Sequence, residues 1–108
     1  MMTNAERALD ALGDGTRRRV FKRVRDGTRS VREIAEGMDV SRPAVSQHLK
    51  VLKAAGLVIV RAEGTRRLYA VDTRGIEALR SWLDGFWDET LGAFKKSAEI
   101  AAKERKPR

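Results

Sequence analysis

The sequence predicts a mainly helical fold that carries one small β-hairpin, and three observations point there. Apolar residues recur at steps of three and four in four short stretches bounded by Ser, Asp or Gly. A run rich in β-branched residues then faces a second such run across Gly64-Thr65. A long stretch of apolar residues at helical steps follows from Thr73 onward.

Residues 4–12 form the first helix, with Ala5, Ala8, Leu9 and Leu12 on one side and Gly13 at its end. Asp14 is placed to cap the second helix, with Thr16 close behind. That helix runs to about Arg25 with Val20, Phe21 and Val24 on one face, and Asp26-Gly27 signals a turn. Ser30 caps the third helix, and Glu33 three residues on completes a capping-box pattern. Val31, Ile34, Ala35 and Met38 supply its apolar side. After the tight Asp39-Val40 connection, Ser41 caps the fourth helix, which carries Pro43 in its first turn. It runs to about Ala55, and Gly56 closes it as a left-handed cap. Residues 57–63 and 66–71 are the hairpin strands. The last helix starts at Thr73, sets Ile76, Leu79, Leu83, Phe86, Trp87, Leu91, Phe94 and Ala98 at helical steps, and frays from Lys103. Two helices, a helix–turn–helix, a hairpin and a final helix make a winged helix-turn-helix.

The chain has 108 residues, enough for one domain with a modest core. Hydrophobic residues make up 42% and charged residues 35%, a globular composition. The longest apolar stretch, 54–60, is too short to span a bilayer, and the N-terminus has no apolar signal region. A cytoplasmic protein with no membrane partner is therefore expected. The absence of cysteine excludes disulfides, thiolate metal sites and thiol redox sensing. One histidine leaves little material for a transition-metal site.

The net charge of +8 is segregated along the chain. Residues 17–32 hold eight cations and one anion, whereas residues 33–40 and 75–94 each sum to −3. Residues 41–56 sum to +3, 61–74 to +2 and the tail 95–108 to +4. Such blocks suit one face for a polyanion and another kept away from it.

The fourth helix carries the function. On a helical wheel Ala44, Val45, His48, Leu49, Val51, Leu52 and Ala55 gather on the inner side, toward Ile34, Ala35 and Met38. Arg42, Pro43, Ser46, Gln47, Lys50, Lys53 and Ala54 gather outside, with no acid among them. A plain solvated face would mix in Glu and Asp; this one suits the DNA major groove, about 12 Å wide. Gln47 can pair twice with adenine, and Arg42 or Lys50 with guanine. Ser46 is short enough to admit close approach to a base edge or phosphate. The hairpin tip adds Arg61, Thr65, Arg66 and Arg67 for the backbone or the minor groove. Glu63 is expected to order the tip by pairing with an arginine, and Tyr69 to pack on the helices. Arg17, Arg18, Lys22 and Arg23 spread around the second helix, so one or two phosphate contacts are expected there, Arg17 among them. His48 reads as a packing residue, because Ser46 and His48 do not face each other and no second His exists. With no nucleophile–base pair and no glycine-rich phosphate loop, neither an enzyme nor a cofactor is expected.

Three runs are also familiar. Ala11-Leu12-Gly13-Asp14-Gly15-Thr16-Arg17 resembles the opening of ArsR-family repressors, with Gly15 where proline is usual. Ser41-Arg42-Pro43-Ala44-Val45-Ser46-Gln47-His48-Leu49-Lys50-Val51-Leu52 resembles that family's recognition helix. Ala55-Gly56-Leu57-Val58 followed by Glu63-Gly64-Thr65-Arg66-Arg67-Leu68-Tyr69 resembles its helix end and wing. The resemblance covers roughly residues 5–95 and implies a homodimer, joined by the first and last helices, that binds inverted repeats and blocks transcription. The third helix, Ser30-Val31-Arg32-Glu33-Ile34-Ala35, lacks the cysteine motif of metal-sensing members, and the last helix has no His, so the non-metal-sensing subgroup is expected. The segment 82–91 resembles a subgroup often encoded beside START-like ligand-binding proteins, which names no ligand.

Trp82, Phe86, Trp87 and Phe94 can be read as an effector pocket or as a dimer seam, and the seam is the simpler reading. Apolar residues on a terminal helix with no chain left to bury them imply a partner surface. The expected seam is Leu9, Leu12, Leu79, Leu83, Phe86, Trp87, Leu91 and Phe94. Residues 1–102 are then a DNA-binding and dimerisation domain and 103–108 a basic disordered tail. The expected activity is repression from a pseudo-palindromic operator, with a small-molecule effector left open. A non-specific architectural DNA binder and a protein-interaction module on the same scaffold remain the alternatives. The polar face of the fourth helix argues against the first and the basic wing against the second.

Overall fold

Helix starts in this chain are set by side chains that take up backbone N–H groups with no partner inside the helix. The computed structural model describes residues 1–104. Helix α1 (Asn4–Ala11) is capped by Thr3, whose Oγ1 accepts from the Glu6 N–H at 3.2 Å while Glu6 accepts from the Thr3 N–H. This capping box is additional to the one expected at Ser30. Helix α2 (Gly15–Arg25) starts where Asp14 Oδ1 accepts from the Arg17 N–H at 2.9 Å. Helix α3 (Val31–Glu36) carries the expected Ser30–Glu33 box. Helix α4 (Arg42–Ala54) is capped by Ser41, with Pro43 in its first turn. Gly56 follows at φ +76°, the left-handed conformation that relieves the helix end.

Strands β1 (Val58–Glu63) and β2 (Arg66–Val71) pair antiparallel, from Val58 opposite Val71 to Glu63 opposite Arg66. Gly64 alone takes positive φ in the turn, as a glycine-first two-residue loop requires. One link, from Arg29 to Tyr69, has no signal in the sequence. Each N–H of this pair donates to the other's carbonyl, at 3.0 and 2.8 Å, fastening β2 to the loop between α2 and α3.

Helix α5 (Thr73–Glu104) follows Asp72, whose Oδ1 accepts from the Arg74 N–H at 3.1 Å. At 32 residues it is about 48 Å long, and it gives the molecule its 77 × 26 × 26 Å shape. It crosses the α4–β1 joint so closely that a Cβ on Gly75 would lie 1.8 Å from the Gly56 carbonyl oxygen. The helix continues through Lys103 and Glu104, so the expected tail boundary at 103 falls within it. The rest of that tail, 105–108, lies outside the described residues. Among the described residues no helix is long and apolar enough to cross a membrane.

The core forms where α2, α3, α4 and β1 meet. Val20, Val24, Ile34, Val45, Leu49, Leu52, Leu57 and Val58 are fully enclosed, with Ala8 and Ala11 from α1 and Leu79 from α5 beside them. Each large side chain here stabilises the fold by about 1.5–3 kcal/mol through burial. Two expectations need correction. Val51, assigned to the inner face of α4, is 39% exposed. It stands more than about 100° around the helix from the arc of Val45, Leu49 and Leu52, where it lines an open groove between α1 and α4. Leu79, assigned to the dimer seam, belongs to the protomer's own core because α5 packs there against α1.

Candidate nucleic-acid interface

Helix α4 is held from behind and left free in front. Val45, Leu49 and Leu52 are wholly buried against α2 and α3, which fixes the rotation of the helix about its axis. Arg42, Pro43, Ser46, Gln47, Lys50 and Lys53 are therefore all exposed on the opposite side. The Ser41 hydroxyl accepts from the Ala44 N–H at 3.3 Å, which tightens the first turn. His48 is half-buried at the edge of the packed face.

The charges on this side are uncommitted. Ion pairs among the described residues join Arg25 with Asp26, Arg32 with Glu36, Arg66 with Glu33 and Arg74 with Asp72. Arg42, Lys50, Lys53, Arg61 and Arg67 stand outside all of them. Between α3, the start of α4 and the hairpin tip runs an open groove of about 420 Å³ lined by Ser30, Val31, Arg32, Arg42, Arg66 and Arg67. Arg42 and Arg67, with the ion-paired Arg32 and Arg66 beside them, make one wall of guanidinium groups continuous with the outer face of α4. Arg32 is a member that the sequence analysis did not single out; its place in the +7 block was the available signal.

The second helix behaves differently from its expectation. Arg17 Nη1 donates to the Ala11 carbonyl at 3.1 Å, and Arg18 Nη1 to the Leu12 carbonyl at 2.8 Å. Arg23 Nη2 donates to the Glu33 carbonyl at 3.1 Å. These arginines satisfy the exposed carbonyl ends of α1 and the backbone of α3. Arg17 thus stands in the α1–α2 joint, with its Nε buried, rather than on the outward face of α4.

The wing also differs in one respect. Glu63 lies opposite Arg66 in the strand register but makes no ion pair among the described residues. Arg66 reaches instead to Glu33 on α3, against which β2 packs. Arg61, Thr65 and Arg67 are exposed, and Tyr69 is half-buried against the core. The Ser30 N–H, and next the Ser30 hydroxyl, hold the Glu33 carboxyl below the usual carboxylate range, with Arg66 and Arg29 adding to the effect.

The distal half of α5 presents a second, apolar surface. Phe86, Trp87, Leu91 and Phe94 are between 46 and 71% exposed, and Ile100 continues the stripe. Trp82 stacks on Phe86 at 5.5 Å, and Trp87 meets Phe86 edge-on at 5.7 Å. Leu9 is exposed, and Leu12 and Leu83 are partly covered. No group of three or more His, Cys, Asp or Glu able to hold a metal ion occurs among the described residues.

Comparison with known proteins places this geometry. Residues 12–61 match a family model described as a helix-turn-helix domain. The chain is 53% identical over 89 residues to the HTH-type transcriptional regulator Rv2034 of Mycobacterium tuberculosis, covering 82% of this chain and 83% of that protein. Its fold is similar to the ArsR-like transcriptional regulator from Rhodococcus sp. RHA1, with a TM-score of 0.74, 28% identity and coverage of 88% and 92%. It is also similar to the homodimeric winged helix-turn-helix DNA-binding domain Mb0332 of Mycobacterium bovis, a possible ArsR-family regulator. There the TM-score is 0.64 and the identity 31%, over 82% of each chain.

Proposed function

The chain belongs to the ArsR family of winged helix-turn-helix, DNA-binding transcriptional regulators, and from that premise we propose a homodimeric, sequence-specific repressor. The observation that carries the proposal is the outer face of α4. It is rigidly backed by buried Val45, Leu49 and Leu52, and it displays Arg42, Pro43, Ser46, Gln47, Lys50 and Lys53 with no acid and, among the described residues, no internal ion pair. Gln47, with Arg42 or Lys50, reads base edges in the major groove, and Ser46 lets the helix approach. Arg61, Thr65 and Arg67 bring the wing's positive charge to the backbone, with Arg66 at the same hairpin tip. No cofactor or catalysis enters this reading, and the protein works in the cytoplasm.

The dimer is proposed on the exposed stripe of α5. A soluble monomer rarely leaves so many large apolar side chains uncovered along one face. A twofold axis across Leu83, Phe86, Trp87, Leu91 and Phe94, with Leu9 and Leu12 at its margin, would set two α4 helices about 34 Å apart on a pseudo-palindrome. The acidic Asp84, Asp88 and Glu89 keep this helix off DNA. Occupancy of such a site blocks transcription, as the resemblance of the recognition helix and wing implies. The lack of cysteine and of a second histidine supports a member of the family that does not sense metal. The functional unit is the winged helix-turn-helix together with α5.

The test is fluorescence anisotropy against the DNA upstream of the protein's own gene and a scrambled duplex, repeated across a salt series. A preference of about a thousandfold, with a salt slope of several units, is expected for the cognate site. Equal affinity with the same steep slope would instead establish an architectural binder.

A further inference from the structure

The wing is tied to the helix-turn-helix by one carboxylate. Glu33 sits at the third position of α3, accepts from the Ser30 N–H at 3.1 Å, and also receives the Arg66 guanidinium from a hairpin tip 33 residues away. Just beneath, Arg29 and Tyr69 exchange two backbone hydrogen bonds. The tip is thus fastened at two points, one by backbone and one by charge. Arg66 and Arg67 line the same groove, but among the described residues Arg66 has an ion-pair partner and Arg67 has none.

We propose that Glu33 is a positioning residue for DNA recognition: through Arg66 it holds the wing against α3, so that Arg32, Arg42 and Arg67 bound one phosphate groove. This inference rests on the DNA-binding reading and adds a division of labour within it. Arg67 neutralises phosphate, whereas Arg66 acts as a strut and keeps its carboxylate partner in the complex. A loose hairpin would have to be ordered at the moment of binding, which lowers affinity without removing a phosphate contact. Each phosphate contact instead adds close to 0.9 to the salt slope. The two roles therefore separate in one experiment.

The full chain and its Glu33→Gln, Arg66→Gln and Arg67→Gln variants are titrated on a mixed-sequence duplex of about 30 base pairs over a salt series. Gln at position 33 can still serve the capping box, so α3 keeps its start. Arg67→Gln should lower the slope by about 0.9. Arg66→Gln should weaken binding severalfold at every salt concentration with the slope unchanged. In the free protein, Glu33→Gln and Arg66→Gln should each speed amide exchange at Arg29 and Tyr69 severalfold, and the double variant no further, since one link is cut in all three. A fall in slope for Arg66→Gln equal to that for Arg67→Gln would overturn the strut. So would unchanged exchange at Tyr69 in Glu33→Gln. A wild-type chain with no duplex affinity would overturn the DNA-binding reading itself, and this role with it.

Discussion

Gly75→Ala should destabilise this protein, although alanine in a helix ordinarily improves on glycine by about 0.5–1 kcal/mol. The added Cβ would lie 1.8 Å from the Gly56 carbonyl oxygen and 2.6 Å from its carbon. Both are backbone atoms of the turn that leads from α4 into β1. No side chain can rotate away, so α5 or the turn must shift by more than an ångström. Core overpacking costs about 1–3 kcal/mol, and a backbone obstacle belongs at the upper end of that range. Against the propensity gain, a net loss of about 2 kcal/mol remains. For a domain of this size that corresponds to a fall in Tm of about 8–16 °C. Gly85 lies in the same helix with nothing within 4 Å of its would-be Cβ. Gly85→Ala should therefore raise Tm by a few degrees, and the pair controls for composition and helix propensity. Thermal melting by circular dichroism at fixed protein concentration measures both. A Gly75→Ala variant that melts with or above the wild type would refute the close packing of α5 on the α4–β1 joint.

Two further outcomes follow from the same structure. Phe86→Ala should weaken self-association at least tenfold in analytical ultracentrifugation, since Phe86 carries the contacts of both Trp82 and Trp87; an unchanged dimer constant would put the seam elsewhere. Acid should destabilise the fold through Asp14, Glu33 and Asp72, each held below its usual value. The main causes are the Arg17 N–H for Asp14, the Ser30 N–H for Glu33 and the Arg74 side chain for Asp72. Depressed carboxyls contribute stability above their usual values of 3.8 and 4.5, and that contribution is lost as pH falls below them. Melting curves from about pH 6 to about pH 2.5 should show the decline begin only below about pH 4.5, and Glu33→Gln should make it shallower.

The helical parts of the fold were legible because short-range chemistry sets them. Asp14, Ser30 and Ser41 act on N–H groups three residues away, and Gly56 and Gly64 stand where the chain needs positive φ. The outer face of α4 was legible for the same reason, since helical periodicity alone separates Gln47 from Leu49. What escaped depends on contacts between distant segments. Nothing near Arg66 indicates that its partner is Glu33 on the distant helix α3 rather than Glu63 three residues away. Nothing near Arg17 shows that α1 ends beneath its guanidinium. Leu79 was misplaced because periodicity says which residues share a face, not how far a neighbouring element extends over it, whereas for Val51 the helical angle from Leu52 and Leu49 already pointed away from the packed face. The close approach at Gly75 is likewise a property of two backbones that meet only in the folded chain.

The central claim is that the outer face of α4 reads bases, and Gln47→Ala tests it most directly. The affinities of the wild type and the variant are compared on the preferred upstream duplex and on a scrambled one at a single salt concentration. A loss of about 1–3 kcal/mol on the preferred duplex, with the scrambled duplex unaffected, is the predicted result. Equal affinities of the two proteins on the preferred duplex would contradict it and remove α4 from the reading of sequence.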